Sequence, residues 1–362
     1  MKTTSPKIPG RIALNTLGMA LLSASLLSPA WALTGGGGTG TAGEVCAADL
    51  TFAEVACGNA SSATNTKSTA VGASSNATGL QSTAVGNLSK ANSGSTTALG
   101  YNSEASGTDG TATGANSSAA GSNATATGAG SKAVSSNATA IGSSSTANAT
   151  GSTALGSSST ASGISSTAIG ITSEALGTNS LAAGVGSKAS ATGATATGSA
   201  SLANQSGATA TGESSNATGI GSTATGTGST ASAQASTATG AGSLASNQNS
   251  TALGANSEAT GLRATAVGGD SRALGNNSVA LGANSEDGGA GNVVSVGNTM
   301  TKRKIINVGD AALNADSTDA VTGRQLYTTN QSIAASQTNT NAALNAAGAA
   351  QSTANTALTA AG

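Results

Sequence analysis

Alanine occupies every seventh position from Ala70 to Ala280, within short runs of alternating apolar and polar residues. One unit, residues 68–81, reads Ser-Thr-Ala-Val-Gly-Ala-Ser-Ser-Asn-Ala-Thr-Gly-Leu-Gln. Glycine recurs every 14 residues from Gly72 to Gly282, and serine does so from Ser75 to Ser285. A period this uniform, without a single insertion, predicts a β-solenoid of stacked, near-identical coils.

The alternation within each coil divides its side chains between the two sides of a strand. Ala70 points to one side, and Thr69 and Val71 point to the other. Since the alanine column tolerates one size only, we expect it to line the inside of the roll. The column that begins at Val71 is variable but mostly β-branched or apolar, and we expect another copy of the chain to cover it. Backbone ladders, together with Ser and Asn columns bonded to their own copies in the next coil, should hold the stack.

The pattern changes after the repeats. The register breaks at residues 287–291, where the alanine column ends and two glycines mark a change of structure. From Leu326 onward the 3-4 spacing of a coiled coil appears, with one heptad position at Leu326, Ile333, Thr340, Ala347 and Ala354 and the other at Asn330, Gln337, Leu344, Gln351 and Leu358. Few of these residues are large, so the helix needs partners, and a disordered polar tail is the alternative. The repeats themselves have a seven-residue spacing, but their Gly, Thr, Ser and Asn content disfavours a helix there.

The N-terminal segment, residues 1–32, has the features of a secretory signal peptide. A basic region precedes a mostly apolar stretch at residues 12–27, and Ala30-Trp31-Ala32 offers a small-x-small cleavage site. A transmembrane anchor is the alternative, but Asn15, Gly18 and several serines weaken the stretch for that role. We therefore expect the mature chain to begin near Leu33.

A Gly/Thr-rich spacer leads to a segment unlike the rest of the chain, residues 44–59. It contains both cysteines, Cys46 and Cys57, and export to an oxidising compartment favours a disulfide between them. Free or metal-binding thiols are the alternative, although no His or further Cys stands nearby for a zinc site. We expect this segment to cap the first coil, whose ladder edge would otherwise be exposed.

Composition argues against several classes of function. Of the 362 residues, 1% are aromatic and 7% are charged, and a net charge of −1 gives no electrostatic footprint for nucleic acid. The chain has no His and the acids of the repeats are isolated, so we expect no enzyme activity, cofactor or metal site. Thr-Ala-Thr runs, such as residues 195–197 and 223–225, raise the alternative of an ice-binding solenoid. The same column carries Leu, Ile and Val in other coils, however, as a buried face would.

Two parts of the chain resemble a known family. The residues Asn277, Ser278, Val279, Ala280, Leu281, Gly282 and Ser285 resemble the NSVAIGxxS motif of YadA-type trimeric autotransporter adhesins, and looser copies stand at residues 249–257 and 81–89. Residues 294–326 resemble the family's neck, through Val294-Ser295-Val296-Gly297 and the later landmarks Arg303, Ile306, Asn307, Val308, Asp319, Ala320, Val321, Gln325 and Leu326. The resulting domains are a signal peptide (1–32), spacer and cap (33–67), head repeats (68–290), neck (291–326) and the start of a coiled-coil stalk (327–362).

The resemblance implies a left-handed parallel β-roll of 14-residue repeats, trimeric, followed by a neck and a trimeric coiled-coil stalk. It also implies a non-catalytic bacterial surface adhesin whose head binds extracellular matrix proteins such as collagen, or host cell surfaces, and promotes self-agglutination. In the neck, the basic residues 302–304 and the acids Asp310, Asp316 and Asp319 would tie neighbouring subunits together.

The sequence departs from the family's pattern in three ways. The family's C-terminal outer-membrane anchor does not appear before Gly362, so we expect secretion across the inner membrane, with attachment to the outer membrane only through an anchor absent from this sequence. Several middle repeats have Thr where the motif has Ile, as at Thr113 and Thr211. The segment between Cys46 and Cys57 lies outside the motif. A structural spacer in a longer surface fibre is therefore the alternative to an adhesive head.

Overall fold

The computed structural model describes residues 38–39, 46–49 and 53–362. The predicted signal peptide, residues 1–32, and most of the predicted spacer lie outside the described residues. The chain divides into two compact units at Thr301 and Lys302, and each unit is described by itself.

The first unit is a β-solenoid with two ladders, of which the long ladder has mostly three-residue strands. Each strand pairs in parallel with the equivalent strand of the next coil, as in Ala70↔Ala84. The long-ladder strands are Glu54–Cys57, Thr69–Val71, Thr83–Val85, Thr97–Leu99, Thr111–Thr113, Thr125–Thr127, Thr139–Ile141, Thr153–Leu155, Thr167–Ile169, Leu181–Ala183, Thr195–Thr197, Thr209–Thr211, Thr223–Thr225, Thr237–Thr239, Thr251–Leu253, Thr265–Val267, Val279–Leu281 and Val294–Ser295. Threonine, valine and isoleucine are frequent at the outward positions of these strands because β-branched side chains favour extended backbone.

The short ladder has two-residue strands on the opposite wall of each coil. Its pairings are also parallel and join equivalent residues of successive coils, as in Ala133↔Ala147. The short-ladder strands are Ser62–Ala63, Asn76–Ala77, Lys90–Ala91, Glu104–Ala105, Ser118–Ala119, Lys132–Ala133, Thr146–Ala147, Thr160–Ala161, Glu174–Ala175, Lys188–Ala189, Leu202–Ala203, Asn216–Ala217, Thr230–Ala231, Leu244–Ala245, Glu258–Ala259 and Arg272–Ala273. The constant register confirms the parallel β-solenoid that the sequence period predicts.

Alanine fills the interior between the two ladders. The strand Thr69–Val71 buries Ala70 completely and leaves its two flanking residues partly exposed, and the same holds along the whole column. Ala56 and Ala63 continue this column ahead of Ala70 and are also fully buried. The first coil therefore contains residues that the sequence pattern placed in the spacer and cap.

Each coil turns twice, and one of the turns requires glycine. Gly72 has φ 128°, and a Cβ added to it would lie 2.5 Å from the carbonyl oxygen of Gly86 in the next coil. Further positions in the two turns have left-handed backbone without being glycine, such as Ser74 at φ 56° and Gln81 at φ 59°. Asn, Asp, Ser and Gly recur at these positions because they tolerate or stabilise turn backbone.

The buried serine column closes turns within a coil. Ser75 donates both its amide (3.2 Å) and its hydroxyl (2.9 Å) to the carbonyl oxygen of Gly72, earlier in the same turn. The expectation that serines bond to their copies in the next coil is therefore wrong, because an acceptor in the same turn lies within reach. Asparagine does form bonds between coils, as from Asn102 Nδ2 to Asn116 Oδ1 at 3.0 Å.

Antiparallel strands flank the first coil. Ala47–Asp49 pairs with Glu54–Cys57, and Gly38–Thr39 pairs with Ser62–Ala63. Cys46 and Cys57 form a disulfide with an S–S distance of 2.06 Å. These strands occupy the ladder edges that a preceding coil would otherwise use.

The second unit contains one long helix, α1, Gly323–Ala360. It begins with a capping box: the Thr322 hydroxyl accepts from the Gln325 amide, and the Gln325 side chain accepts from the Thr322 amide. The segment is helical, as the heptad pattern predicts, and not a disordered tail. No residue of α1 is buried, and its large apolar residues Leu326, Ile333, Leu344 and Leu358 are all well exposed.

Candidate functional site

The solenoid presents one uncharged wall, which we name the long-ladder face. It consists of the outward side chains of the long ladder in residues 69–281. The column that begins at Thr69 is threonine throughout, apart from Leu181 and Val279. Neither outward column of this face contains a charged residue. Such a wall has no charges to desolvate when another surface covers it.

Apolar residues on the long-ladder face are arranged in bands. The column that begins at Val71 contains three apolar triplets separated by a band of two threonines and by a longer band of one alanine and four threonines: Val71, Val85, Leu99, Thr113, Thr127, Ile141, Leu155, Ile169, Ala183, Thr197, Thr211, Thr225, Thr239, Leu253, Val267 and Leu281. Leu99 is 44% exposed and Leu253 is 47% exposed. Clusters of exposed leucine, isoleucine and valine are typical of an interaction surface.

The opposite wall, which we name the short-ladder face, carries most of the charge of the solenoid. Its outward column includes Lys90, Glu104, Lys132, Glu174, Lys188, Glu258, Arg272 and Glu286. Lys188 pairs with Glu174 at 2.6 Å, and Arg272 lies between Glu258 (3.0 Å) and Glu286 (3.2 Å). These pairs are exposed, so each contributes at most about 1 kcal/mol to stability. The face is therefore suited to water or to a polar partner.

This charge segregation was not among the features predicted from the sequence. The signal was available, because period-2 alternation assigns each outward position and a single repeat step connects Glu174 with Lys188. The family motif covers a long-ladder strand and its flanking turns, and so gives no indication of the charges on the short-ladder face.

The motif residues at 277–285 build the last regular coil. Ser278, Ala280 and Ser285 are completely buried, Asn277 has φ 54° and Gly282 has φ 104°. Val279 and Leu281 lie on the long-ladder face. The motif thus encodes a turn, an inward alanine and the outward apolar positions.

Two of the neck landmarks, Asp319 and Gln325, bind the backbone of residues 311–312. The Gln325 side chain forms two hydrogen bonds with the backbone of Ala311. Gln325 Oε1 accepts from the Ala311 amide at 2.9 Å, and Gln325 Nε2 donates to the Ala311 carbonyl oxygen at 2.8 Å. Asp319 accepts from the Ala312 amide at 3.0 Å. The Asp310 carboxylate accepts from the Thr322 hydroxyl at 2.9 Å and forms a close ion pair with Arg324 of the same chain. Sequence reasoning missed this role of Arg324.

The remaining landmarks surround an open groove. It is lined by Ile305, Ile306, Asn307, Val308, Ala320, Val321, Thr322 and Gly323. Ile306 is 73% exposed and Val321 is 57% exposed. Arg303 precedes the groove in sequence, and Leu326 follows it in the first turn of α1. These apolar residues are placed where a second surface can cover them.

Two family models match the chain. The model described as the YadA head domain repeat matches overlapping pairs of repeats at residues 63–89, 77–103, 91–117, 105–131, 133–159, 161–187, 175–201, 203–229, 217–243, 231–257 and 259–285. The model described as the coiled stalk of trimeric autotransporter adhesin matches residues 304–358. The chain belongs to the family of YadA-type trimeric autotransporter adhesins. This confirms the resemblance seen in the motif and neck residues.

Among solved structures, the collagen-binding domain of the Yersinia adhesin YadA is 31% identical to this chain. The match covers 47% of this chain and 86% of that domain, with a TM-score of 0.36. No curated protein sequence matches the chain.

Membership of an adhesin family implies a non-enzymatic role and a location at the cell surface or outer membrane. In the described part of the chain, no group of three or more His, Cys, Asp or Glu side chains is placed to hold a metal ion. Within the same residues, no helix combines the length and the apolar character that crossing a bilayer requires.

Proposed function

We propose that this YadA-type adhesin is exported, associates as a homotrimer and displays a head that binds extracellular matrix proteins such as collagen. The observation that carries the proposal is the segregation of charge between the two walls of the solenoid. One wall is uncharged and apolar in bands, and the opposite wall carries charges of both signs. An assembly that covers the first wall leaves the second wall available to a ligand.

The long-ladder face is the association surface of the head. A three-fold axis parallel to the solenoid places equivalent coils of the three chains at the same height, so apolar bands lie level with apolar bands. Burial of apolar area contributes about 25 cal/mol per Å². The exposed side chains of Leu99, Ile141, Leu155 and Leu253 therefore supply a driving force that the single chain leaves unused.

The neck and α1 complete the trimer. A helix whose large residues are all exposed is marginal in water and gains stability when its heptad positions pack against other helices. The groove that Ile305, Ile306 and Val321 line receives a neighbouring subunit in the same assembly. The neck boundaries at residues 291 and 326 and the signal cleavage near Leu33 are part of this proposal.

The short-ladder face is the ligand-binding surface. Its charges alternate in sign along the solenoid at multiples of the ladder spacing of about 4.8 Å. A periodic polar strip complements an extended partner that carries its own regularly placed charges and amides, as collagen does. The likeness in sequence to a collagen-binding domain supports collagen as the first ligand to test. Self-agglutination is expected from the same exposed face.

A solid-phase assay with trimeric protein tests this proposal. The parent should be retained on collagen, and a Lys90→Glu/Lys132→Glu variant should be retained several-fold less, because both substitutions reverse charges on the short-ladder face. Asp270→Asn, in an exposed turn of the same solenoid, is the matched control and should bind like the parent. If trimeric parent protein is retained on none of collagen, fibronectin and laminin, the head is a structural spacer.

A further inference from the structure

The short ladder ends at a carboxylate. One repeat period after Ala273, Asp287 stands at the next position of the alanine column. One coil earlier, the Ala273 carbonyl oxygen accepts from the amides of Thr260 (3.0 Å) and Gly261 (3.3 Å). The matching amides in the last coil belong to Leu274 and Gly275, and a further coil would offer them the backbone carbonyl of residue 287.

The side chain of Asp287 supplies those acceptors in place of the backbone. The Leu274 amide donates to Oδ1 at 3.0 Å and to Oδ2 at 2.9 Å, and the Gly275 amide donates to Oδ2 at 2.9 Å. The Ser278 hydroxyl makes a further, short hydrogen bond to Oδ2. One carboxylate thus satisfies the amides that the missing coil would have satisfied.

Two glycines follow Asp287 and allow the chain to reverse its direction there, so that the Asp287 side chain can accept from these amides. Gly288 has φ 63° and Gly289 has φ 81°, so two consecutive residues have positive φ, a combination that glycine adopts without strain. The reversal places the Gly289 amide 2.9 Å from Asp287 Oδ1 as another donor. The chain then returns to the long ladder, where Val279 pairs with Val294 and not with residue 293, which the repeat period would place there. The one extra residue accommodates the reversal.

We propose that Asp287 is the stop residue of the head, and that its ionised carboxylate closes the short-ladder edge until acid protonates it and opens that edge. Without such a closure, the amides of Leu274 and Gly275 would be left unpaired at the edge of the ladder. The alanine at the same position of every other regular coil cannot provide it, because an alanine side chain has no acceptor.

The surroundings of Asp287 favour its ionised form. The groups that face the carboxylate are the uncharged Leu274, Gly275, Ser278 and Gly289. The neighbouring charges Glu286 and Arg272 pair with each other on the outward side at 3.2 Å. Burial raises the pKa of the Asp287 carboxyl, but the hydrogen bonds from Ser278, Gly275, Gly289 and Leu274 outweigh it and place the pKa below the ordinary value of 3.8.

The direction of the pH effect follows from this lowered pKa. Because the folded state holds the proton less tightly than the unfolded state, the closure contributes its full stability above the ordinary pKa of aspartate. The contribution is lost as the pH falls through the lowered pKa of the folded state. A protonated carboxyl keeps one good acceptor oxygen, so the amides of Leu274 and Gly275 lose part of their bonding.

Amide hydrogen exchange on the full chain tests the proposal, with rates corrected for their intrinsic pH dependence. The variants are Asp287→Ala, which restores the residue of the alanine column and so fits the coil, and Asp287→Asn, which keeps one oxygen but does not titrate. Asp270→Asn is the control for the loss of a carboxylate elsewhere. The amides of the central strand Thr153–Leu155 report whether each variant remains folded.

At neutral pH, protection of the Leu274 and Gly275 amides should fall about tenfold or more in Asp287→Ala, the loss expected for hydrogen bonds to a charged acceptor. In the parent, protection of these amides should fall selectively in acid while the central strand stays protected. Asp287→Asn should show intermediate protection without that acid-dependent step. Equal protection in the parent and Asp287→Ala, or an unchanged acid step in Asp287→Asn, overturns the proposal.

Discussion

At the scale of single residues, the glycine column shows how closely successive coils approach one another. Gly156 has φ 137°, and a Cβ added there would lie 2.4 Å from the carbonyl oxygen of Gly170. Gly228 also has positive φ, at 66°, but nothing lies within 4 Å of its added Cβ. Alanine at Gly228 would therefore meet backbone strain alone, whereas alanine at Gly156 would meet both backbone strain and steric contact with the next coil.

Alanine at these two positions should have very different effects on stability. Gly228→Ala should cost about 1 kcal/mol, the strain of a left-handed alanine, which Ala200 already tolerates in the same turn column at φ 54°. Gly156→Ala should cost about 3 kcal/mol or more, because the coils must also move apart. Equilibrium unfolding in denaturant measures both, and equal losses would contradict the close approach at Gly156.

The interior alanines predict a second contrast at residue scale. Ala154 is fully buried between the two ladders, whereas Ser157 lies exposed in the following turn of the same coil. Ala154→Phe should destabilise the solenoid by about 1–3 kcal/mol or more through overpacking. Ser157→Phe, the matched control, should change stability by less than about 0.5 kcal/mol. An Ala154→Phe variant that melts like the parent would mean that this column does not face the interior.

At the scale of elements, the disulfide-linked hairpin at the start of the solenoid is the feature most open to test. The strand Glu54–Cys57 belongs both to the hairpin and to the parallel long ladder. The two cysteines are 11 positions apart, and a disulfide that closes a loop of this size contributes about 2–3 kcal/mol to stability in the chain-entropy account.

Replacing both cysteines, as Cys46→Ser with Cys57→Ser, should therefore loosen the first coil selectively. Amides of the strand Glu54–Cys57 should exchange faster, while those of the strand Thr153–Leu155 stay protected, since each coil contacts only its neighbours. Reduction of the parent protein should reproduce the effect, and the serine variant should not respond to reductant. Unchanged exchange in the first coil would show that the hairpin holds without its disulfide.

Local sequence rules predicted the elements well wherever a repeat was present. The positions of Ala70 and Gly72, read with the repeat period, were sufficient to predict the parallel ladders and the buried column. The same reading would have placed Ala56 and Ala63 in the solenoid if the column had been extended backwards. The hydrogen-bond partner of Ser75 was not predictable from the period. A serine repeated every 14 residues gives the same sequence pattern whether its hydroxyl bonds to the next coil or within its own turn.

Asp287 illustrates the opposite case. Its sequence position marked the end of the register, and two glycines after it indicated a change of structure. That its carboxylate replaces the backbone of a missing coil depends on the path of residues 288–291, which no periodic rule describes. Irregular segments such as this one and the bonds around Gln325 required the structure.

At the scale of the whole molecule, the central claim is that partner chains cover the long-ladder face of the solenoid and leave the short-ladder face exposed. The uncharged long-ladder face has exposed apolar bands, and the short-ladder face has most of the charges. Period-2 alternation and the 14-residue repeat assign each outward residue to one of the two walls, but a single sequence does not state how many copies meet.

Interchain distances between spin labels test this arrangement most directly. Thr211→Cys places a label on the long-ladder face, and Thr230→Cys places one on the short-ladder face of a nearby coil. Measured by pulsed electron paramagnetic resonance in the full chain, the label at position 211 should give the shorter interchain distances, because its face lies against the partner chains. Shorter distances at position 230, or no interchain coupling at either position, would contradict the account.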